Sequence, residues 1–410
     1  MNYEQAMEFI RGRLKYGSRP GLETTRELLH RLGNPQERLK FIHVAGTNGK
    51  GSTSSFIANT LIESGYKTGI YISPFVNAFT ERIQVNNVQI TKDELACHAQ
   101  RVAEVLDDSL CPTEFEVVTA IGFLRFLDKK CDYVVLEVGL GGRFDATNVI
   151  PPPIVAVITS ISIDHTELLG DTVSQIAFEK SGIIKSGCAL AVYPDNPPEA
   201  MEVIKKTAEE KGVAVETADK ADIKVLRTSI GGTVFSYMGE EYALSMLGKH
   251  QVYNAVTAIC ALKLLKLDLK IKEGLKKTFF KGRLEIVSKD PMIIVDGAHN
   301  FSGVTALSLA LSDYFPKNDI ILVMGMLRDK EYEKCIRAIS PLSKLFIATM
   351  PDNPRALSAE ELMKTAKRYT KNAVAVADRQ QAVDYAKSIA KQGDVICVCG
   401  SLYLIGGIEY

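Results

Sequence analysis

The sequence lacks an excess of either charge, a paired cysteine motif and a long apolar run, and each absence closes off a class of function. Lys plus Arg and Asp plus Glu number 49 each, so no bulk field draws the chain toward nucleic acid or an anionic membrane. Any anion must be held by a local site. The eight cysteines (Cys97, Cys111, Cys131, Cys188, Cys260, Cys335, Cys397 and Cys399) show neither a CxxC pair nor a Cys/His ligand spacing. That predicts reduced thiols rather than a disulfide framework or a zinc site. Cys397 and Cys399 stand two apart in an apolar run and read as small hydrophobes sharing one face of a strand. Glu4, Glu8, Arg11 and Arg13 break up residues 1–14, which excludes the apolar core of a signal peptide, and no run approaches the length of a membrane span. A cytoplasmic protein is expected.

What is present is ordinary globular material. Hydrophobic residues make up 46%, charged residues 24%, with 30 Gly and 15 Pro, against disorder or a low-complexity fibre. At 410 residues the chain has length for two or three domains with sizeable cores. Short β-branched runs at 41–44, 68–72, 133–138, 154–161 and 189–193 read as buried strands, and helical patterns such as 53–63 and 173–181 lie between them. This alternation predicts right-handed βαβ units and a mostly parallel sheet. Runs at 223–227, 233–237 and 241–246, separated by Gly231, Gly232 and Gly239, read as a small antiparallel appendage. A helix over 250–267 follows, and 282–291 mixes Gly, charge and Pro like a linker. The rhythm then restarts, with strands at 292–295, 320–324, 345–348, 374–377 and 395–398 and helices at 304–314, 358–369 and 380–391. The fold class is therefore α/β. An N-terminal P-loop domain with a mostly parallel sheet is expected over 1–284, and a smaller C-terminal Rossmann-like α/β domain over 290–410.

The phosphate loop follows from residue types. The run at 41–45 leads into Gly46, Thr47, Asn48, Gly49, Lys50, Gly51, Ser52 and Thr53 and then a helix. In that setting backbone N–H groups and a helix N-terminus hold phosphate, and the lysine adds a positive charge. The strict GxxxxGK[ST] pattern fails, since Val44 stands where Gly is required and Gly51 separates Lys50 from Ser52. A plain Gly-rich turn remains open on these residues alone. The stretch from Gly139 to Phe144 lacks the third Gly of a dinucleotide fingerprint.

Taken together, the blocks resemble a known family. His43 to Ser52 resembles the variant P-loop of the folylpolyglutamate synthase and dihydrofolate synthase family, within the Mur ligase superfamily. The likeness continues in order through Ile72-Ser73-Pro74, Glu81-Arg82-Ile83, the stretch from Leu136 to Asn148, Asp164-His165-Thr166, the stretch from Glu179 to Ile183, Gly282-Arg283 and the stretch from Asp296 to Asn300. The resemblance implies an ATP-dependent ligase that phosphorylates a carboxylate and lets the amine of L-glutamate attack the acyl phosphate. Such chemistry needs positioning and charge neutralisation more than a protein nucleophile.

By that resemblance, Thr47, Asn48, Gly49, Lys50, Gly51, Ser52, Thr53, Asn254, Arg283 and Asp296 bind ATP, and Lys50, Lys180 and His299 are catalytic. Ser73, Glu137, His165 and Lys180 hold Mg²⁺, with K⁺ as a further candidate cation. Glu137 also has a reading of its own, because it closes an apolar strand directly before a Gly-rich turn, at the sheet edge where α/β enzymes build their sites. Ser73 as a turn starter and His165 as a cap are the bland alternatives. Lys180 has Ile176 and Ala177 on its helix face, so it can point inward, with a solvent-reaching lysine as the bland alternative. The family carbamylates this lysine, which turns a cation into a two-oxygen anion suited to magnesium. Arg82, Thr113, Glu114, Phe115, Phe144, Asp145 and Ala146 match the segments that contact the pterin; Phe115 as plain core is the alternative. Glu114 and Phe144 depart from the family's usual residues, as does Phe301, which stands in place of proline after Asn300. The expected partners are small molecules: ATP, L-glutamate and a folate or dihydropteroate acceptor. A Mur-type ligase acting on a UDP-muramyl peptide is the alternative within enzymes, and only about 40 residues precede the phosphate loop to carry a UDP-binding domain. A non-catalytic nucleotide switch or a P-loop kinase stands outside that class. A monomer is expected, since a cleft within one chain needs no second copy.

Overall fold

The structure is a computed structural model and describes residues 1–17, 21–316 and 319–410. The chain folds into two compact units. One comprises Met1–Lys224, Tyr237–Tyr242 and Tyr253–Thr278; the other comprises Val225–Ser236, Ala243–Val252 and Phe279–Tyr410.

The first unit is built on eight strands: β1 (Phe41–Ala45), β2 (Thr68–Tyr71), β3 (Ile83–Val85), β4 (Val88–Gln89), β5 (Tyr133–Glu137), β6 (Val155–Ile158), β7 (Ala189–Val192) and β8 (Val215–Thr217). They are ordered β4-β3-β2-β5-β1-β6-β7-β8. All pairings from β2 across to β8 are parallel, while β3 and β4 add an antiparallel hairpin at one edge. Every residue of β1 is buried, which explains its apolar composition, since a central parallel strand is covered on both faces. The register sets Val44 beside Glu137 and Val157, so the C-terminal ends of β1, β5 and β6 open side by side. The chain leaves β1 toward β2 on one flank and reaches β6 on the other, and in open α/β sheets ligands bind where the strand order reverses in this way.

Helices close both faces of this sheet. Helix Lys50–Glu63 follows the phosphate loop and is buried from Gly51 to Leu61. Helix Glu114–Asp128 begins with a capping box, in which Thr113 Oγ1 accepts from Glu116 N–H and Glu116 Oε2 accepts from Thr113 N–H. The other Glu116 oxygen accepts from Thr25 Oγ1 at 2.7 Å, which ties helix Glu23–Arg31 to that cap. Phe41 and Phe123 meet edge to face at 5.5 Å in the core on this side.

A small antiparallel sheet, β9 (Ile223–Ser229), β10 (Gly232–Tyr237) and β11 (Glu240–Leu244), matches the expected appendage. The second unit carries β12 (Glu285–Lys289), β13 (Met292–Asp296), β14 (Ile320–Met324), β15 (Ser343–Ala348), β16 (Ala373–Ala375) and β17 (Val395–Cys399), ordered β12-β13-β17-β14-β15-β16. Here the sequence reading needs a correction. The stretch 282–291 is no linker, because Glu285–Lys289 pairs antiparallel with β13 and Asp290-Pro291 makes the hairpin turn. Ile286 and Val287 supply the strand character, and an edge position tolerates the charged flanks and the proline that suggested a linker. Cys397 and Cys399 lie fully buried in β17, and all eight cysteines are free thiols. No described helix is long and apolar enough to cross a membrane.

The Thr25–Glu116 hydrogen bond can be tested directly. Thr25→Val keeps the shape but leaves a buried carboxylate oxygen without its donor, so it should cost about 1–3 kcal/mol in urea unfolding. Thr25→Ser should restore most of that loss. Equal midpoints for Thr25→Val and the native chain would mean that this bond does not hold helix Glu23–Arg31 in place.

Candidate active site

The loop between β1 and helix Lys50–Glu63 is held from both sides. Ser160 O, just beyond β6, accepts from Thr47 N–H at 2.7 Å and from Asn48 N–H at 3.2 Å. Thr47 Oγ1 donates to Ser162 O, and Thr159 Oγ1 donates to Asn48 O at 2.8 Å. Gly49 sits at φ +83°, and a Cβ there would lie 2.3 Å from Asn254 Oδ1. Only glycine therefore meets both the left-handed backbone and the close approach of Asn254. The helix begins at Lys50 with no side-chain cap, an arrangement suited to an anion.

Two lysines converge on one carbonyl of this loop. Lys50 Nζ donates to Gly46 O at 3.1 Å and to Thr47 O at 3.2 Å, while Lys180 Nζ donates to the same Gly46 O at 3.0 Å. Lys180 is buried on helix Val173–Ser181 beside Ile176 and Ala177, the inward one of the two directions that its spacing leaves open. Burial, reinforced by the Lys50 charge, pulls the Lys180 amine down to about 7. Two close backbone approaches fix its helix. A Cβ on Gly142 would lie 2.9 Å from Lys180 O, and one on Gly182 would lie 2.5 Å from Arg143 Cα. The loop after β5 and the lysine helix are thus packed backbone to backbone.

Glu137 is buried at the end of β5, and its Oε2 accepts from Ser73 N–H at 3.2 Å, so the structure brings these two predicted ligands together. His165 has a left-handed backbone at φ 52° beside Asp164, and its side chain is 39% exposed. Asp164 lies close enough to Lys180 to favour its charged form. Among the described residues no three His, Cys, Asp or Glu side chains stand together as a metal cage. Glu137 supplies one carboxylate with Ser73 beside it, a donor set that fits Mg²⁺, which takes one or two protein carboxylates with phosphate oxygens and water. Thr53 Oγ1, buried with no hydrogen-bond partner among the described residues, adds a hydroxyl in the same helix turn.

The remaining first-unit residues form a neighbouring group. Phe115 packs over Gly139, where a Cβ would meet its ring at 2.4 Å, and lies edge-on to Tyr71 at 6.0 Å. Arg82 reaches Glu114 at 3.8 Å and lies over the rings of Phe75 and Phe79. Thr113 is occupied as a helix cap. Asp145 is buried, with Oδ2 accepting from Leu140 N–H at 2.8 Å and Oδ1 from Thr147 N–H at 3.0 Å. Ala146 is buried beside it, whereas Phe144 is 46% exposed, with the Arg143 guanidinium 5.0 Å from its ring.

In the second unit, Asp296 accepts from Leu284 N–H at 2.8 Å and from Ala298 N–H at 2.7 Å, and burial raises its pKa. His299 Nδ1 lies 3.0 Å from Gly297 O, and Arg283 Nη1 donates to Gly282 O at 3.3 Å. Asn300 caps helix Phe301–Tyr314, so Phe301 in the place of proline still opens a normal helix. Sequence reasoning missed Ser160, whose signal was position alone, in the segment directly after β6; Asp164 stood in a motif block but was given no role of its own.

Residues 44–262 match the family model described as Mur ligase middle domain, and residues 282–402 match that of the Mur ligase, glutamate ligase domain. The chain is 36% identical to the dihydrofolate synthase/folylpolyglutamate synthase of Bacillus subtilis, over 99% of this chain and 98% of that protein. It belongs to the folylpolyglutamate synthase/dihydrofolate synthase family. Solved structures in the family agree. The Mycobacterium tuberculosis folylpolyglutamate synthase, complexed with ADP and AMPPCP, superposes with a TM-score of 0.90 at 30% identity, covering 98% of this chain and 97% of that one. Escherichia coli FolC in complex with DHPP and ADP gives 0.87 at 30% identity, over 98% and 95% of the two chains. The resemblance read from the motifs is thereby confirmed over the whole length.

The buried Lys180 has a pH signature. Its folded-state pKa of about 7 lies well below that of a free lysine, so between about pH 7 and 10 the unfolded chain binds the extra proton and stability rises with pH. Below that window both states are protonated, and the penalty of the buried charge is fully present. Urea unfolding in bicarbonate-free buffer should show a shallower rise for Lys180→Met over the same range. Identical slopes for the two proteins would mean that Lys180 keeps its charge without penalty.

Proposed function

We infer that this chain is an ATP-dependent ligase that joins L-glutamate to a folate-type acceptor through an acyl phosphate. The observation that carries the reading is the convergence of Lys50 and Lys180 on the Gly46 carbonyl of an uncapped helix turn, in a chain aligned end to end with dihydrofolate synthase/folylpolyglutamate synthase. The alternative of a UDP-muramyl peptide acceptor is not favoured by these relatives.

Residues Thr47 to Thr53 and Asn254 bind the nucleotide, with Lys50 neutralising charge on its phosphates. Ser73, Glu137, His165 and Lys180 are the proposed Mg²⁺ ligands, Lys180 as its carbamate. When bound, the ion offsets phosphate charge as it builds up in the transfer. An amine held near neutrality by burial is the form that can combine with CO₂, which supports that assignment. Glu137 keeps its carboxylate aimed by the Ser73 N–H. Arg82, Thr113, Glu114, Phe115, Phe144, Asp145 and Ala146 take the acceptor, with the partly buried Phe115 ring held edge-on against Tyr71 as the proposed partner of the pterin ring. Arg283 and Asp296 are further proposed ATP contacts, and His299 is the proposed residue for the incoming glutamate. The protein acts as a monomer in the cytoplasm, on small molecules alone.

Lys50→Ala should lower kcat by at least about 100-fold with an unchanged circular-dichroism spectrum, since the loop keeps its backbone while losing its charge. Glu137→Gln should raise the Mg²⁺ concentration needed for half-maximal rate by about 10-fold or more. Either variant at native values would release that residue from the site. The decisive assay is an acceptor panel. With ATP, Mg²⁺ and L-glutamate, dihydropteroate or a reduced folate should yield amide and phosphate, and a UDP-muramyl peptide should not. The reverse pattern would leave only the superfamily assignment standing.

A further inference from the structure

His43 occupies the middle of β1, beside Leu136 of β5 and Ala156 of β6, and is fully buried. Its Nε2 lies 2.9 Å from Thr147 Oγ1, and its Nδ1 is buried with no hydrogen-bond partner among the described residues. Thr147 Oγ1 in turn lies 2.5 Å from Asp145 Oδ1. These groups form one chain from the interior of the sheet to the turn that carries Phe144, Asp145 and Ala146.

Donor and acceptor counting fixes the direction of that chain. Asp145 gathers the N–H groups of Leu140 and Thr147, as an acceptor-only carboxylate does. The single proton of the Thr147 hydroxyl therefore goes to Asp145, and its lone pair accepts from His43 Nε2–H. The imidazole is the neutral Nε2–H tautomer, in keeping with burial that pushes it down to about 3. The reverse order would place an N–H at the unpartnered Nδ1 position, and orphaned buried donors are rarer than orphaned acceptors. In either order a polar ring at the centre of a parallel sheet leaves one nitrogen unsatisfied, a cost that an aliphatic residue of the same strand would not carry. What the histidine adds is a fixed hydroxyl, and through it a fixed carboxylate.

We propose that His43 and Thr147 are positioning residues for the acceptor: they lock Asp145, and with it the turn from Leu140 to Thr147, in the conformation that receives the folate-type substrate. Neither residue touches reacting atoms. His43 lies two residues before the last residue of β1, the strand that enters the phosphate loop, so the same strand that leads to the nucleotide loop also sets the acceptor turn. The proposal rests on the reading of Phe144 to Ala146 as an acceptor-contacting segment.

The test uses the full-length protein and three variants. Thr147→Val removes the hydroxyl at nearly constant volume, Thr147→Ser keeps it, and His43→Leu removes its donor. Dihydropteroate binding is followed by its fluorescence without ATP, and steady-state KM is measured for acceptor, ATP and glutamate. Thr147→Val and His43→Leu should weaken dihydropteroate binding and raise the acceptor KM by about 10-fold, the equivalent of one lost hydrogen bond. KM for ATP and kcat should stay within about 3-fold, and Thr147→Ser should restore the acceptor KM. A native acceptor KM in Thr147→Val would overturn the proposal, as would acceptor and ATP KM rising together, which marks general loosening of the sheet. Should Thr147→Val fail to fold, the same KM split in His43→Leu decides. If the native protein forms no amide with any pterin acceptor, the ligase reading fails and the proposal falls with it. If it does and the variants match it, only the positioning role fails.

Discussion

Two lysine ammonium groups share the carbonyl of Gly46, and much of the first unit can be understood as what is needed to hold them there. Like charges 3 Å from one oxygen repel, so neither side chain would choose this place without constraint. Lys50 is brought by the tight turn that begins its helix, a turn that only glycine at position 49 can make beside Asn254. Lys180 is brought by a second helix whose backbone meets the loop after β5 at Gly142 and Gly182. Burial then settles the conflict by drawing one amine toward its neutral form. The phosphate loop is stiff for a related reason, because Ser160 O and Thr159 Oγ1, both following β6, hold its backbone.

The acceptor side is organised by a carboxylate rather than by cations. Asp145 works less as an open charge than as the hub of its own turn, joined to Leu140, Thr147 and, through the threonine, His43. Arg82 and Glu114 face each other nearby at the mouth of helix Glu114–Asp128, whose start is itself secured by Glu116 and Thr25. The polar groups of this turn and this helix cap are therefore largely spent on one another, and local rigidity follows from that.

The α/β class and the strand rhythm were legible because a buried parallel strand needs a nearly unbroken apolar run, as 41–45 and 133–137 show. The phosphate loop was legible from its strand-loop-helix setting together with the ordered motif blocks, since its glycines and lysine alone left a plain Gly-rich turn open. Ile176 and Ala177 on its helix face allowed an inward Lys180 without excluding a solvent-reaching one, and the packing of its helix decides between them. Glu285–Lys289 was misread because an edge strand is permitted the charge and proline that usually mark a linker. The roles of Ser160 and the His43–Thr147 pair were hidden for a different reason. Those contacts span more than a hundred residues of sequence and exist only once β1, β5 and β6 are in register.

The edges of the sheets carry a consequence for the chain's behaviour at high concentration. Central parallel strands pair late in folding and leave backbone groups unmatched while they wait. Here the outermost strands of the large sheet, β4 and β8, are two and three residues long. In the second unit β16 has three residues, and β12 is interrupted by a bulge between Ile286 and Ser288. None of these offers a long straight template to a neighbouring molecule. Among the described strands at a sheet edge, β9 is the longest at seven residues, and it carries Lys224 and Arg227 beside the exposed Val225 and Leu226, charges of the kind that blunt an edge. The architecture that builds a rigid nucleotide loop from parallel strands thus also limits strand-to-strand aggregation between chains.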